Sequence, residues 1–204
     1  MASNTPTVVF DVGNVLLRWD PRRVYRALIP EPERLDWFLQ NVCTGAWNIE
    51  QDRGRSWEEG VATLVAQHPE WEREIRAYDE QWHDSIPESI ADSVAVLEEL
   101  KARGEKVYAI TNFSREKWAE CLIRFPFLQS FDGAVVSAHE RLLKPDPAIY
   151  EVLLGRYGLA APDCIFIDDS EKNVVGARGV GMRAIHFVEP IDLRAELRGL
   201  GVRL

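Results

Sequence analysis

The chain has 204 residues, nearly half of them hydrophobic, and a formal net charge of −9. That is enough for one domain of ordinary size, or a core plus a small insertion, and it excludes general disorder. The acidic balance argues against a nucleic-acid-binding surface and reads as a solvated exterior. Cys43, Cys121 and Cys164 are odd in number and lack C-x-x-C spacing, so they read as small core residues in a reduced compartment. His68, His83, His139 and His186 show no metal-ligand spacing. Met1 to Thr7 holds no basic stretch followed by an apolar one, and no apolar run approaches transmembrane length. The expectation is a cytoplasmic protein with no membrane or nucleic-acid partner.

In chain order, Thr7-Val8-Val9-Phe10 is a short β-branched run suited to a strand buried on both faces. It stops at Asp11, and Gly13 two residues later lets the backbone turn. Asp20 can cap a helix that Pro21 begins, and helical periodicity then continues to about His83 with no convincing strand. Pro30 and Pro32 separate the first helix from the second. Ser56-Trp57-Glu58-Glu59 is a capping box for a third, which His68-Pro69 ends, and Trp71 to Trp82 makes a fourth. Six of the seven tryptophans fall between Trp19 and Trp82, as expected of a small helical bundle packed with aromatics. Trp47-Asn48 and Gln51-Asp52-Arg53-Gly54 lie in the break before the capping box and are expected to face a substrate, with Trp47, Asn48 and Arg53 as candidate contacts.

Ser85-Ile86-Pro87-Glu88 reads as a second capping box, and Gly104 ends the helix after it. Strands and helices then alternate: Val107 to Ile110, a helix from Ser114, Ala134 to Val136, a helix from Asp146-Pro147 to Tyr157. Cys164 to Ile167, a helix from Ser170 to Arg178, Ala184 to Phe187 and a last helix after Pro190 follow. Alternation of this kind means a parallel sheet covered on both faces, here with a helical block inserted after the first strand.

Each early strand ends on a polar residue: Asp11, then Thr111-Asn112, then Asp168-Asp169, while the loop after Val136 carries Lys144. In a parallel sheet these ends share one edge, so the residues can converge. Asp11, Asp168 and Asp169 offer hard oxygen ligands suited to Mg²⁺, and the Gly13 carbonyl can add another. Thr111 and the amides after it can donate to an anion, and Lys144 adds a positive charge beside it. Asp11 is then placed as a carboxylate nucleophile towards that anion.

Phe10-Asp11-Val12-Gly13-Asn14-Val15, Thr111-Asn112, Lys144-Pro145-Asp146 and Ile167-Asp168-Asp169-Ser170 resemble, in order and spacing, the four motifs of the haloacid dehalogenase-like (HAD) hydrolase superfamily. The resemblance implies an α/β fold: a Rossmann-like parallel-sheet core, residues 1–17 and 86–204, with a small α-helical cap, residues 18–85. It implies a Mg²⁺-dependent phosphatase of small phosphorylated metabolites that works through an aspartyl phosphate. Asp11, Thr111 and Lys144 would serve catalysis, Thr111, Asn112 and Lys144 would bind the phosphoryl group, and Asp11, Gly13, Asp168 and Asp169 would hold the metal. The cap would close over the site and choose the substrate.

One position departs from the family. Its phosphatases usually carry a second aspartate two residues after the nucleophile, as general acid, and here that residue is Gly13. Losing a positioned proton donor costs on the order of a hundredfold in rate. So the substrate has a good leaving group, another residue or water supplies the proton, or no acid is needed. Bacterial glucose-1-phosphate phosphatases are similar in their Asp-x-Gly-Asn opening, which points to sugar 1-phosphates. A metal-independent 2-haloacid dehalogenase is the alternative, with Arg18, Arg22 or Arg23 holding a substrate carboxylate. The dehalogenases resembling this chain, however, have serine in place of the first motif-four acid and aspartate where Asn173 stands. They also carry Tyr-Gly-Thr in place of Gly13-Asn14-Val15. A protein that binds a phosphorylated ligand with little turnover is the third reading, supported by Gly13 alone.

Overall fold

Alternate residues of the buried strands point to opposite faces, and this splits the apolar core in two. Val8, Phe10, Ala109, Ile165 and Ile167 fill one cluster, and Val9, Tyr108, Ile110, Val135 and Phe166 fill the other. A computed structural model describes residues 5–204, so the reading of Met1 to Thr7 as free of a leader falls mostly outside it. Five strands form one parallel sheet: β1 (Thr7–Phe10), β2 (Val107–Thr111), β3 (Gly133–Val136), β4 (Cys164–Asp168) and β5 (Arg183–His186). Their spatial order is β3-β2-β1-β4-β5. Thr111 and Asp168 therefore close the two strands that flank β1, and Asp11 follows β1 directly. The connections reverse direction between β1 and β4, the position where open α/β sheets bind ligands.

Between β1 and the next core helix, α6 (Ala91–Ala102), lies the helical block. It comprises α1 (Arg22–Tyr25), α2 (Pro32–Asn41), α3 (Gly45–Asp52), α4 (Trp57–Gln67) and α5 (Glu72–Glu80). The outgoing and returning chains run side by side, the Arg18 amide donating to Glu88 and the Ile90 amide to Leu16. Aromatic side chains hold the block together. The Tyr78 ring lies 5.6 Å from Trp47, 5.5 Å from Trp57 and 5.9 Å from Tyr25. The remaining helices are α7 (Arg115–Arg124), α8 (Ser137–Glu140), α9 (Pro147–Tyr157), α10 (Glu171–Gly179) and α11 (Leu193–Gly199). All three cysteines are free and buried, and no described helix is long and apolar enough to cross a membrane.

Two expectations need correction. The break around Trp47 to Asp52 is a helix, α3, which Thr44 opens by accepting the Trp47 amide on its hydroxyl at 3.0 Å. Ser85 caps nothing. Its hydroxyl donates to the Trp82 carbonyl at 2.6 Å, Pro87 holds Ile86 extended, and α6 starts only at Ala91. The box at Ser56 does cap, its hydroxyl accepting the Glu59 amide at 3.1 Å.

Gly176 of α10 lets the loop after Lys144 pack close. A methyl group there would lie 2.7 Å from the Pro145 carbonyl oxygen, a backbone atom with no rotamer to yield. Alanine gains about 1 kcal/mol in helix propensity, whereas overpacking costs about 1–3 kcal/mol. Gly176→Ala is expected to lower the urea midpoint with an unchanged slope; a raised midpoint would mean that the loop gives way freely.

Candidate active site

The carboxyl edge of the sheet brings Asp11, Thr111, Lys144 and Asp168 together out of water. Lys144 Nζ lies 2.7 Å from Asp11 Oδ1 and 2.7 Å from Asp168 Oδ2, and all three side chains are buried. Asp11 Oδ1 also accepts the Val12 amide at 2.7 Å, so both contacts fall on one oxygen. Asp168 Oδ1 accepts from the Ser170 amide and from Asn173 Nδ2 at 2.8 and 3.0 Å. Thr111 is 1% exposed, and its hydroxyl has no hydrogen-bond partner among the described residues. A buried hydroxyl left unpaired costs about 1–3 kcal/mol, which a bound acceptor would recover.

Charge in this site is unbalanced. Oxygens of Asp11, Asp168 and Asp169 lie within 4.8 Å of one another, with one ammonium among them. Burial pushes the Asp11 carboxyl well above the ordinary carboxylate range; Lys144 draws it back and Asp168 adds to the rise. Burial and the Asp168 charge likewise raise Asp169, against a hydrogen bond from Asn14. Burial works against the Lys144 ammonium too, but Asp11 and Asp168 outweigh it and hold its pKa above the ordinary value. Three hard carboxylate donors short of positive charge fit a Mg²⁺ ion.

The side chain of Asn112 is engaged by the Lys144 backbone. Its Oδ1 accepts the Lys144 amide at 2.9 Å and its Nδ2 donates to the Lys144 carbonyl at 3.1 Å, so it fixes the lysine. Asn14 sits in the left-handed region at φ 52°, a conformation asparagine tolerates, and its Oδ1 accepts the Trp19 amide.

Beside these groups opens a cleft. Gly13, Asn48, Asp52, Asn112 and Ser114 give it polar atoms, and Leu17, Trp19, Trp57, Trp82, Ile86 and Phe113 give apolar walls. Asn48 thus faces the site, but two other expected contacts do not. Trp47 is packed in the aromatic cluster with its indole N–H donating to the Gly60 carbonyl. Arg53 is exposed, pairs with Glu50, and lines a separate hollow near Arg141. Helical periodicity accounts for both, because on α3 only Asn48 and Asp52, four apart, share the cleft-facing side. Arg18, Arg22 and Arg23 do not line the cleft either; Arg18 pairs with Glu189 and Arg22 with Asp36. Asn173 was legible as a helix residue after Ser170 and as a departure from the dehalogenase pattern, but no spacing rule marks it as a brace for Asp168.

Comparisons with known proteins agree with this geometry. The chain is 28% identical over 201 residues to a sesquiterpene phosphatase of Aspergillus oryzae, covering 98% of each. Among solved structures it is similar to a HAD family enzyme from Bacteroides thetaiotaomicron in complex with magnesium and inorganic phosphate. The TM-score is 0.75 at 18% identity, over 95% of this chain and 99% of that one. It is also similar to an L-2-haloacid dehalogenase from Xanthobacter autotrophicus with covalently bound chloropropionic acid. There the TM-score is 0.63 at 19% identity, over 97% and 83% of the two chains. At such identities the structural likeness speaks for the fold. A family model described as haloacid dehalogenase-like hydrolase matches residues 48–187, and the chain belongs to that family of hydrolases.

Proposed function

We propose that the protein is a Mg²⁺-dependent phosphatase that passes the phosphoryl group of a small organic phosphate monoester first to Asp11 and then to water. The observation that carries this reading is the buried Lys144 ammonium bonded to both Asp11 and Asp168, beside the unpartnered Thr111 hydroxyl. Asp11 is fixed through Oδ1, so its attacking carboxylate is oriented before substrate arrives. Lys144 and Thr111 donate to the phosphoryl oxygens and reduce the repulsion between nucleophile and substrate. When bound by Asp11, Asp168, Asp169 and the Gly13 carbonyl, Mg²⁺ supplies Lewis-acid neutralisation of phosphoryl charge. Asn112 acts through Lys144, which it holds in place.

Residues 18–85 serve as the cap. Core residues hold it closed: Trp57 Nε1 donates to Ser114 Oγ at 2.8 Å, and Lys117 Nζ lies 2.7 Å from Asp79. Its aromatic walls favour an ester whose organic group is apolar, in keeping with the sesquiterpene phosphatase relative. A sugar 1-phosphate is the second reading, and Gly13 favours it. Against haloacid chemistry stands Asp168, whose buried carboxylate would add a second negative charge beside the Asp11 nucleophile without a metal to offset it.

Phosphate release from p-nitrophenyl phosphate should require Mg²⁺, stop with chelator, and fall at least about a thousandfold in Asp11→Asn. Chelator-resistant chloride release from 2-chloropropionate would instead support the dehalogenase. For the substrate class, kcat/KM for octyl phosphate should exceed that for glucose 1-phosphate by about tenfold or more; the reverse order would assign the cleft to sugars.

A further inference from the structure

We propose that Asp52, at the end of α3 in the helical block, is the general acid and base of this phosphatase and stands in for the aspartate missing at Gly13. The inference deepens the phosphatase reading and rests on it. Asp52 and Gly13 line the same cleft, Asp52 from the block and Gly13 from the loop that follows the nucleophile. Asp52 is held in register with that loop's neighbours. The buried Ser137 hydroxyl donates to the Asp52 carbonyl at 2.6 Å and accepts the Phe113 amide at 2.9 Å, two residues after Thr111. The Asp52 backbone is thus tied through one side chain to the segment that carries the phosphate donor.

The same surroundings favour the protonated form of its side chain. Burial pushes the Asp52 carboxyl up to about 7, with the Ser114 amide and the Lys144 charge drawing it down only in part. It also stands at the C-terminal, negative end of α3, which disfavours its anion. A proton donor with a pKa near the working pH is what an alkoxide leaving group requires.

The bonds balance as follows. An Asp11 oxygen forms a bond to phosphorus while the ester P–O bond breaks, its electron pair staying on the leaving oxygen. That oxygen takes the Asp52 proton and departs as an alcohol. Asp52, now a carboxylate, takes a proton from water as the water oxygen bonds to phosphorus and the bond to Asp11 breaks. Free phosphate leaves, Asp11 is a carboxylate again and Asp52 is an acid again.

The test compares two esters of matching ring size with Mg²⁺ present. p-Nitrophenyl phosphate expels a stable anion, and benzyl phosphate expels an alkoxide that needs a proton. Asp52→Asn should lose about a hundredfold in kcat/KM, which reads the steps up to departure of the alcohol, on benzyl phosphate and at least tenfold less than that on p-nitrophenyl phosphate. Asp52→Ser is the second variant, with the same pattern expected, and thermal melts report whether each is folded. Equal losses on both esters would make Asp52 structural, and no loss on either would remove it from the reaction; each overturns the proposal. So would a wild type that turns over only p-nitrophenyl phosphate, since it would hold no acid to contribute. A wild type inactive on both would sink the phosphatase reading itself, and this inference with it.

Discussion

A single buried ammonium organises the molecule. Lys144 is 3% exposed and pairs with two carboxylates from adjacent strand ends, and much of the surrounding sequence serves to hold it there. Removing one partner from such a buried network costs about 3–5 kcal/mol, because the charge left behind is neither solvated nor paired. Asn112 brackets the lysine backbone from both sides, and Gly176 leaves room for the loop that delivers it. Asn173 and the Ser170 amide donate to Asp168 Oδ1, which the lysine does not contact, and Asn173 also reaches Oδ2. The arrangement contributes little to stability compared with an apolar core of the same volume. Its consequence is for charge: one cation among three acids leaves an excess of negative charge, which the proposed Mg²⁺ would offset.

The helical block answers a different need. In the proposed reaction the phosphoryl group must be kept from bulk water, and a site on the open edge of a sheet has no wall on its outer side. Here the wall is aromatic. Trp57 and Trp82 face the cleft and also flank the Lys117 ammonium, at 5.4 and 5.8 Å from their ring centres. Lys117 in turn pairs with Asp79 on α5, so cation–π and ionic contacts join core to block beside the cleft. Trp57, Trp82 and Lys117 are themselves buried, so the contacts also keep water from this side of the cleft.

Much of this was legible in the sequence for a physical reason. A parallel sheet puts every strand end on one edge, so Asp11, Thr111 and Asp168, each ending an apolar run, had to meet wherever the strands paired. Lys144 could be added because it lies in the loop after Val136, just before the helix start at Asp146-Pro147, and Asp146 indeed caps α9 through Ala148. What periodicity could not supply was orientation inside the block. α3 lacks a strong apolar stripe, so the segment read as a break, and Trp47 and Arg53 were placed at the site with Asn48. Once the segment is a helix, the 3.6-residue period sends Trp47 into the core and Arg53 to solvent. Ser85 misled for the opposite reason: the box was present, but Pro87 and pairing with the outgoing chain kept the backbone extended. The bracing role of Asn112 depends on a contact across 32 positions, which no local pattern announces.

The central claim is that phosphorus bonds transiently to Asp11, and acid quenching during turnover, followed by mass spectrometry of the peptides, tests it most directly. The account predicts one phosphoryl group on the peptide carrying Asp11, lost on mild alkaline treatment as an acyl phosphate should be. Turnover with the phosphoryl group on another residue would contradict it, and so would an Asp11→Asn variant that turns over at the wild-type rate. Either result would leave the buried lysine without a nucleophile to serve.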